Sequence, residues 1–359
     1  MKVVIDNIVF DLQKSGGISI LWYELLSRVQ QNKKFELYYS DNQPKKNYCR
    51  NQLTIDTNKI VRSDFWPRLQ SYLPVTFNQD DNFIFHSSYY RYCTHPRAIN
   101  ITTVHDFTYE FFRKGIYRRL HSWQKFNAIR NSQYIVCISE STKRDLMRFL
   151  PDVDENKIRI IHNGVSEDYC ILDQPSEKYK LPFPSSSYVV SIGNRASYKN
   201  FELCLKAVAQ TNYNLVIFGC QINKKEKEEI ERYLPPHRYS CVGYVTNQDL
   251  NILYNHAAAL VYPSSYEGFG IPIIEAQRAG CPVIAYNTSS IPEVIGETPL
   301  LMEELTDTEL VEKLHLLADS EVMKQVRDNG IVNSKRFSWD KAIGEYLDLY
   351  EEALSKQKQ

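Results

Sequence analysis

The sequence predicts an α/β chain built as two doubly wound domains with parallel sheets. Three observations lead there. Short apolar, β-rich runs alternate with amphipathic helical runs along nearly the whole chain. Strand, glycine turn and helix follow one another in both halves: Lys2–Asp6 into Gly16-Gly17, Tyr188–Ile192 into Gly193, and Ala258–Tyr262 into Gly268 and Gly270. Between the halves, residues 166–187 carry Pro175, Pro182, Pro184 and Ser185–Ser187 without periodicity and read as a linker. A chain of 359 residues is long for one ordinary domain and comfortable for two. The expected division is therefore 1–165, a linker at 166–187, and 188–338.

Lys2–Asp6 opens the first half as a strand. After Ser15-Gly16-Gly17, apolar residues Ile18, Leu21, Trp22, Leu25, Leu26 and Val29 recur at helical spacing. A glycine pair between strand and helix suits close approach of a phosphate, and a plain helix-entry turn is the alternative. Residues 40–80 show no clean period and stay unplaced. Asn82–His86 and Ile99–Val104 read as buried strands, the second running into His105-Asp106-Phe107. Side chains just past the C-terminal end of a parallel strand face the ligand crevice of an open sheet. The other histidines discussed (His86, His95, His121, His237, His256 and His315) read as structural.

Residues 111–126 hold five Lys/Arg, five Phe/Tyr/Trp and no acid. That mixture suits a membrane interface, with aromatics at the headgroups and bases on anionic lipid. An ordinary helix with a solvated basic face is the alternative. Gln133–Ile138 is a strand, Ser139 or Ser141 caps a helix that Pro151 ends, and Lys157–His162 is the last strand of this half.

The second half begins with the strand Tyr188–Ile192 and the turn Gly193-Asn194-Arg195-Ala196-Ser197-Tyr198-Lys199-Asn200. Arg195 offers a two-pronged fork and Lys199 a point charge, together suited to a diphosphate, with solvated loop bases as the alternative. Leu215–Gly219 is a strand, Lys224–Leu234 a helix, and a helix runs from about 246 to 257. Next, Ala258–Tyr262 is a strand, Gly268 and Gly270 flank Phe269, Pro272 suits a first helical turn and Gly280 its end. Glu267 and Glu275, with seven residues between them, bracket the loop. A carboxylate accepts two hydrogen bonds from a cis-diol, so the two acids suit different parts of one hydroxyl-rich ligand. Pro282–Tyr286 is a strand, Ser290-Ile291-Pro292-Glu293 starts a helix, and helices follow at 306–318 and 320–335. The last helix, 339–354, has one apolar face of Ile343, Tyr346, Leu347 and Tyr350.

Composition excludes several classes. Net charge is zero, so no global field draws nucleic acid or an anionic membrane, and any membrane contact must be a local patch. The apolar fraction, 43%, supports full cores. The eight cysteines contain no C-x-x-C pair and read as reduced thiols of a cytosolic protein. The chain enters a strand at once, with no signal peptide, and has no apolar run of the roughly 18 residues that span a bilayer.

Tyr266-Glu267-Gly268-Phe269-Gly270-Ile271-Pro272-Ile273-Ile274-Glu275-Ala276, extended by Ala279–Ala285, resembles the E-x7-E signature of the retaining glycosyltransferases of family 4. These have the GT-B fold, two Rossmann-like doubly wound domains facing a cleft. The resemblance implies that Glu267 contacts the donor sugar and Glu275 the nucleotide ribose. It implies that Gly16 and Gly17 face the donor phosphates and acceptor. His105 would hydrogen-bond the donor sugar near the reacting carbon, and Asp106 would orient nearby groups. Arg195 and Lys199 would stabilise the leaving diphosphate. Lys199-Asn200 matches the family's pair, while the commoner pattern has an Arg where this chain has Tyr198. Gly243, Tyr244 and Val245 would read the nucleobase through their backbone, and Gly193, Asn200, Gly268, Phe269, Gly270 and Ile271 complete the donor set. His162-Asn163-Gly164-Val165 is similar to the family's domain-junction segment, with His for the usual Pro, and the last helix would pack back on the first domain.

The implied activity is transfer of a hexose to a sugar hydroxyl of a growing, lipid-linked bacterial surface polysaccharide such as an O-antigen or capsule. The proton passes to the departing phosphate oxygen on the same face, with no metal and no cofactor. Mannose from GDP-mannose is the first choice of donor, and a UDP-hexose or a deoxysugar nucleotide the alternative. Implied partners are the nucleotide-sugar and an oligosaccharide or lipid-linked acceptor, with peripheral contact to the cytoplasmic face of the inner membrane through 111–126 and no nucleic acid. Rivals from other classes are a nucleotide-sugar epimerase or phosphorylase and a non-catalytic sugar-nucleotide-binding subunit.

Overall fold

Thirteen described strands form two sheets in the computed structural model, which describes residues 1–77, 80–173, 180–219, 221–243 and 245–356. The first sheet comprises β1 Lys2–Asp6, β2 Glu36–Ser40, β3 Ile60–Arg62, β4 Phe83–Ser87, β5 Ala98–Val104, β6 Tyr134–Cys137 and β7 Ile158–Ile160. The second comprises β8 Tyr188–Ile192, β9 Asn214–Phe218, β10 Tyr239–Gly243, β11 Ala259–Tyr262, β12 Val283–Tyr286 and β13 Leu301–Met302. Every pairing within them is parallel. Parallel strands are covered on both faces, which is why they read as continuous apolar runs such as Val3-Val4-Ile5 and Phe83-Ile84-Phe85, all at most 1% exposed.

The strand order is β3-β2-β1-β4-β5-β6-β7 in one sheet and β10-β9-β8-β11-β12-β13 in the other. Both therefore grow outward from their first strand in one direction and then reverse, the doubly wound order. The reversals lie between β1 and β4 and between β8 and β11. At such a point the loops leaving the two strands part to opposite faces and leave a crevice at the C-terminal edge. The chain divides into two units, Met1–Gly164 with Trp339–Gln359, and Val165–Ser338.

In the first unit, the helix Gly17–Val29 buries Leu21, Trp22, Leu25, Leu26 and Val29 against the sheet. The terminal helix Trp339–Ser355 joins the same core through Ile343, Tyr346, Leu349 and Tyr350, while Leu347 is only partly buried. Arg28 to Asp340 (2.7 Å) and Lys34 to Glu351 (2.6 Å) clip that helix on at its surface. His86 serves this core: Nδ1 meets the Tyr350 hydroxyl at 2.6 Å and Nε2 the Thr103 hydroxyl at 3.0 Å. Burial holds it neutral, with a pKa near 3.

Sequence periodicity did not find β2, and β3 lies in the unplaced stretch 40–80. Their anchor is a buried triad. Arg91 donates to both oxygens of Asp6 (2.6 and 2.9 Å) and to Asp64 (2.6 Å), and its side chain is fully buried. These three residues lie just past β4, at the end of β1 and just past β3, so the triad locks that edge of the sheet together.

In the second unit, residues once read wholly as linker are bonded to the helix Asn247–His256. The Cys170 N–H donates to Asn251 (3.1 Å) and the Leu172 N–H to Asn255 (2.9 Å). Residues 174–179 of that stretch lie outside the described residues.

Candidate functional site

The loops leaving β8 and β11 meet at the second unit's reversal point. After β8, Gly193 takes φ +107°, a conformation open to glycine at little cost, and the turn ends at Asn200, itself left-handed at φ 52°. Asn200 then stitches the two loops. Its side-chain amide donates to the Pro263 carbonyl (2.8 Å) and the Ser265 hydroxyl (2.7 Å), and the Ser265 N–H donates to the Tyr198 carbonyl (2.7 Å). Lys199 and Glu267 are thereby brought together: the ammonium lies 2.5 Å from Glu267 Oε1, 3.5 Å from the Tyr262 hydroxyl and 5.3 Å above the rings of Tyr198 and Tyr262.

The Glu267 loop is braced from behind. Its N–H donates to the Ser289 hydroxyl (2.9 Å), and the Ser290 hydroxyl donates to the carbonyls of Glu267 (3.0 Å) and Phe269 (2.9 Å). Phe269 is 3% exposed and its ring packs edge-on against Phe337, so what it offers a ligand is backbone. Gly270 has φ +105°, and a Cβ there would sit 3.1 Å from the Ile273 side chain. It opens the helix Ile271–Arg278, where Pro272 has no N–H to offer and the Ile273 N–H donates back to the Gly270 carbonyl (2.9 Å).

Glu275, one turn in, is not part of the Lys199 pair. It is half-buried and faces the Tyr169 hydroxyl; burial pushes its carboxyl up to about 7, and the hydrogen bond from Tyr169 partly offsets this. The hydroxyl of nearby Tyr254 is buried with no partner among the described residues.

Arg195 stands in an ion pair of its own. Its guanidinium donates to Glu226 (2.7 Å) and to the Gln221 carbonyl (3.1 Å), and is not joined to Lys199 and Glu267. Glu226 also closes the capping box of the helix Lys224–Glu231 with Asn223. Arg195, Lys199, Gly193, Asn194, Tyr262 and Pro263 nonetheless line one small concavity. Gly193, Gly219 and Gly243 end three adjacent strands, all with positive φ, and the Gly219 N–H donates to the Gly243 carbonyl (2.9 Å). Gly219 was not singled out from sequence, because a lone glycine after a strand is indistinguishable from an ordinary turn. Val245 is half-buried, and Tyr244 lies outside the described residues.

In the first unit, Gly16 (φ +155°) and Gly17 lead into the helix Gly17–Val29, with the loop held by Gln13 and Asn47 donating to the Ser19 hydroxyl (2.9 and 3.1 Å). His105 follows β5 and is 7% exposed. Burial lowers its pKa to about 4, with Asp106 opposing and Lys125 adding to the shift, so it is neutral at ordinary pH. Asp106 accepts the Thr108 N–H (2.9 Å) and so shapes the turn into Thr108–Phe112.

Sequence reasoning missed what stands beside it. Lys125 is wholly buried and donates to the Asp106 carbonyl (2.8 Å) and Glu110 (2.7 Å). Burial would raise Glu110, but the facing His121 and Lys125 hold it down at about 2. His121 stacks on Tyr109 at 3.8 Å and meets the Tyr89 hydroxyl at 2.8 Å. Tyr72, Tyr89, Tyr109, Tyr117, Arg113 and His121 are among the residues around a cavity of about 820 Å³. Fifteen residues separate Glu110 from Lys125, a spacing with no signature.

Comparison with known proteins follows the same division. Residues 60–169 match a family model described as "Glycosyltransferase Family 4", and residues 173–336 one described as "Glycosyl transferases group 1". The O-antigen chain mannosyltransferase B of Escherichia coli is 27% identical over 297 residues, 75% of this chain and 74% of that protein. The serotype-specific mannosyltransferase WbdA of the same species is 25% identical over 268 residues, 69% of this chain; the chain spans 31% of WbdA's length. Among solved structures, sucrose-phosphate synthase from Thermosynechococcus elongatus superposes with a TM-score of 0.77 at 16% identity, covering 99% of this chain and 100% of that one.

Proposed function

Because the chain belongs to glycosyltransferase family 4, with the GT-B fold, we propose that it transfers a hexose from a nucleotide diphosphate to a sugar hydroxyl with retention at the anomeric carbon. The donor in this reading is GDP-mannose and the product a growing bacterial surface polysaccharide, supported by the mannosyltransferase relatives. The acceptor is a lipid-linked saccharide at the cytoplasmic face of the inner membrane, contacted through 111–126. No described helix is long and apolar enough to cross a membrane.

The observation that carries the reading is the Lys199–Glu267 pair at the reversal point of the second sheet. A phosphate suits the ammonium and sugar hydroxyls suit the carboxylate, so one nucleotide-sugar satisfies both partners when it separates them. As the diphosphate departs, negative charge grows on its oxygens. Lys199 once separated from Glu267, Arg195 once drawn from Glu226, and the N-terminus of Ile271–Arg278 oppose that charge. The departing oxygen then takes the acceptor proton on the same face. No cofactor enters this scheme. Neutral His105 serves the sugar as a hydrogen-bonding group, with Asp106 fixing the turn that presents it. Backbone at Gly193, Gly243, Gly268, Phe269, Gly270 and Ile271 completes the donor site, and Gly16 and Gly17 give the first unit its close backbone approach.

Slow donor hydrolysis without acceptor tests this. GDP-mannose should be cleaved in preference to UDP- and dTDP-sugars, and the cleavage should vanish in Glu267→Ala. Preference for another nucleotide would replace the donor, and interconversion without cleavage would favour an epimerase instead.

Glu275 adds a pH signature. Its carboxyl titrates near 7 in the folded chain, against 4.5 when exposed. The unfolded chain therefore loses this proton first, and the group costs stability as pH rises from about 4.5 through 7. A ribose diol bound by two hydrogen bonds needs the ionised form. Donor affinity should thus strengthen as pH rises from 6 to 8, changing by about tenfold per unit below the pKa. Calorimetric titrations of wild type and Glu275→Gln check it: the slope should disappear in the variant, and a slope that survives would remove Glu275 from the donor site.

A further inference from the structure

Residues 166–172, just inside the second unit, belong to no helix or strand, yet they are bonded in register to a helix. Asn247, Asn251 and Asn255 recur every four residues and so share one face of the helix Asn247–His256. Asn247 donates to Asp168 (2.9 Å) and Asn251 accepts the Cys170 N–H (3.1 Å). Asn255 accepts the Leu172 N–H (2.9 Å) and donates to the Cys170 carbonyl (2.9 Å). Two residues of extended chain span about 6.6 Å and four residues of helix about 6 Å. The pairing of 168, 170 and 172 with 247, 251 and 255 follows from that match, and it satisfies backbone groups that no sheet serves. A second helix is tied in as well, since Arg278 of Ile271–Arg278 pairs with Glu167 at 2.6 Å. The segment is thus a strap fastened to both helices.

Tyr169 lies between the first two of these contacts, is 2% exposed and has its ring 6.1 Å from that of Tyr254. Its hydroxyl donates to Glu275. The other acceptor in reach, Asn247 Oδ1, is neutral and 3.4 Å away, so the carboxylate is the better claimant for the one proton. Burial and the Glu275 charge both keep that hydroxyl protonated. Tyr254, from the helix Asn247–His256, and Tyr262, at the end of β11, are the other titratable groups that feel Glu275. Neither helical cation nearby serves it: Arg278 is turned to Glu167, and Arg327 of the helix Ser320–Ser334 lies against Gly280. Burial and the Tyr169 hydroxyl are what set the state of this carboxyl.

We propose that Tyr169, held by the strap, is a positioning residue for nucleotide binding, its hydroxyl orienting the Glu275 carboxylate toward the two hydroxyls of a ribose. The proposal rests on the reading of Glu275 as the ribose-binding acid and adds the group that holds it. Because the bond forms to the ionised carboxyl, Tyr169 also widens the pH range over which Glu275 can accept a diol.

Tyr169→Phe keeps the ring and removes only the donor. Carbon-13 labelling of the glutamate carboxyls, with the Glu275 signal assigned by its loss in Glu275→Gln, follows the titration in the free protein. The Glu275 carboxyl should titrate about one unit higher in Tyr169→Phe than in wild type. Near pH 7 that lowers the ionised fraction from about a half to about a tenth. Calorimetric binding of GDP, or of UDP if it binds more tightly, should therefore weaken about fivefold at pH 7 and converge on wild type by pH 8.5. A loss of equal size at every pH would mean a merely structural tyrosine and would overturn the proposal. Tyr254→Phe is the matched control, since it removes a buried hydroxyl with no partner among the described residues. It should leave the Glu275 titration where it is, and an equal shift there would assign the effect to packing and overturn the proposal. An unmoved carboxyl in Tyr169→Phe would do the same and leave the transferase reading standing. Wild-type nucleotide affinity in Glu275→Gln at pH 8.5 would instead remove Glu275 from the donor site, and the proposal with it, whatever the carboxyl titration shows.

Discussion

Lys199→Ala should lower turnover at saturating donor by about 10²–10³-fold. The structure already holds the ammonium against the Glu267 carboxylate, 2.5 Å away. Leaving-group departure concentrates charge where that ammonium is aimed, so its interaction is stronger in the transition state than with bound donor. Folding should be little affected, because the side chains of the pair retain 17% and 13% exposure and water can take over part of the carboxylate's solvation. Lys199→Arg should recover part of the rate by keeping the charge in altered geometry. Steady-state kinetics beside thermal melting separate the two effects. Wild-type turnover in a well-folded Lys199→Ala protein would remove this pair from the chemistry.

Arg91→Leu should destabilise the first unit by about 3–5 kcal/mol, the largest stability effect expected. Arg91 and its partners Asp6 and Asp64 are each at most 1% exposed in their side chains. Removing the cation leaves Asp6 buried without a counter-charge and Asp64 with Arg62 alone, 2.9 Å away. The Ser87 hydroxyl, which donates to Asp6 at 2.7 Å, is too little to replace it. The Asp6→Asn/Asp64→Asn/Arg91→Leu triple variant should regain part of the loss, since the charges then vanish together. Urea unfolding followed by fluorescence would show the loss as a lower midpoint in the transition of this unit. An unchanged midpoint would mean that the triad is not worth its buried geometry.

Much of the second unit's site was legible in the chain. Glycine at positive φ leaves a mark because few other residues adopt it, so the turns at Gly193 and Gly270 stood out. Pro272 in the first helical turn and the apolar strand before the loop marked the frame around Glu267. Adjacent positions on one strand–loop–helix run are related by local geometry, which spacing encodes. The first unit was less legible at β2 and β3, where the strands are short and the edge is fixed by Arg91 rather than by an apolar period.

Side-chain partners across the sheet were another matter. Lys199 and Glu267 are 68 residues apart, and they meet because β8 and β11 are neighbours at the reversal point. The same topology set Arg195 on Glu226, 31 residues on. Glu267 and Glu275 look alike in sequence, yet one lies against an ammonium and the other beside Tyr169 with its carboxyl pushed up to about 7.

By itself, then, the sequence determined the alternation of strand and helix, the two doubly wound halves, the glycine turns and the presence of two acids around a helix start. Those features rest on hydrophobic period and backbone freedom, which act over a few residues. Only the tertiary structure decided which charges pair and that burial pushes the Glu275 carboxyl up. Those outcomes depend on strand order and burial, because Coulomb energy and desolvation are set by distance in space and not by separation along the chain.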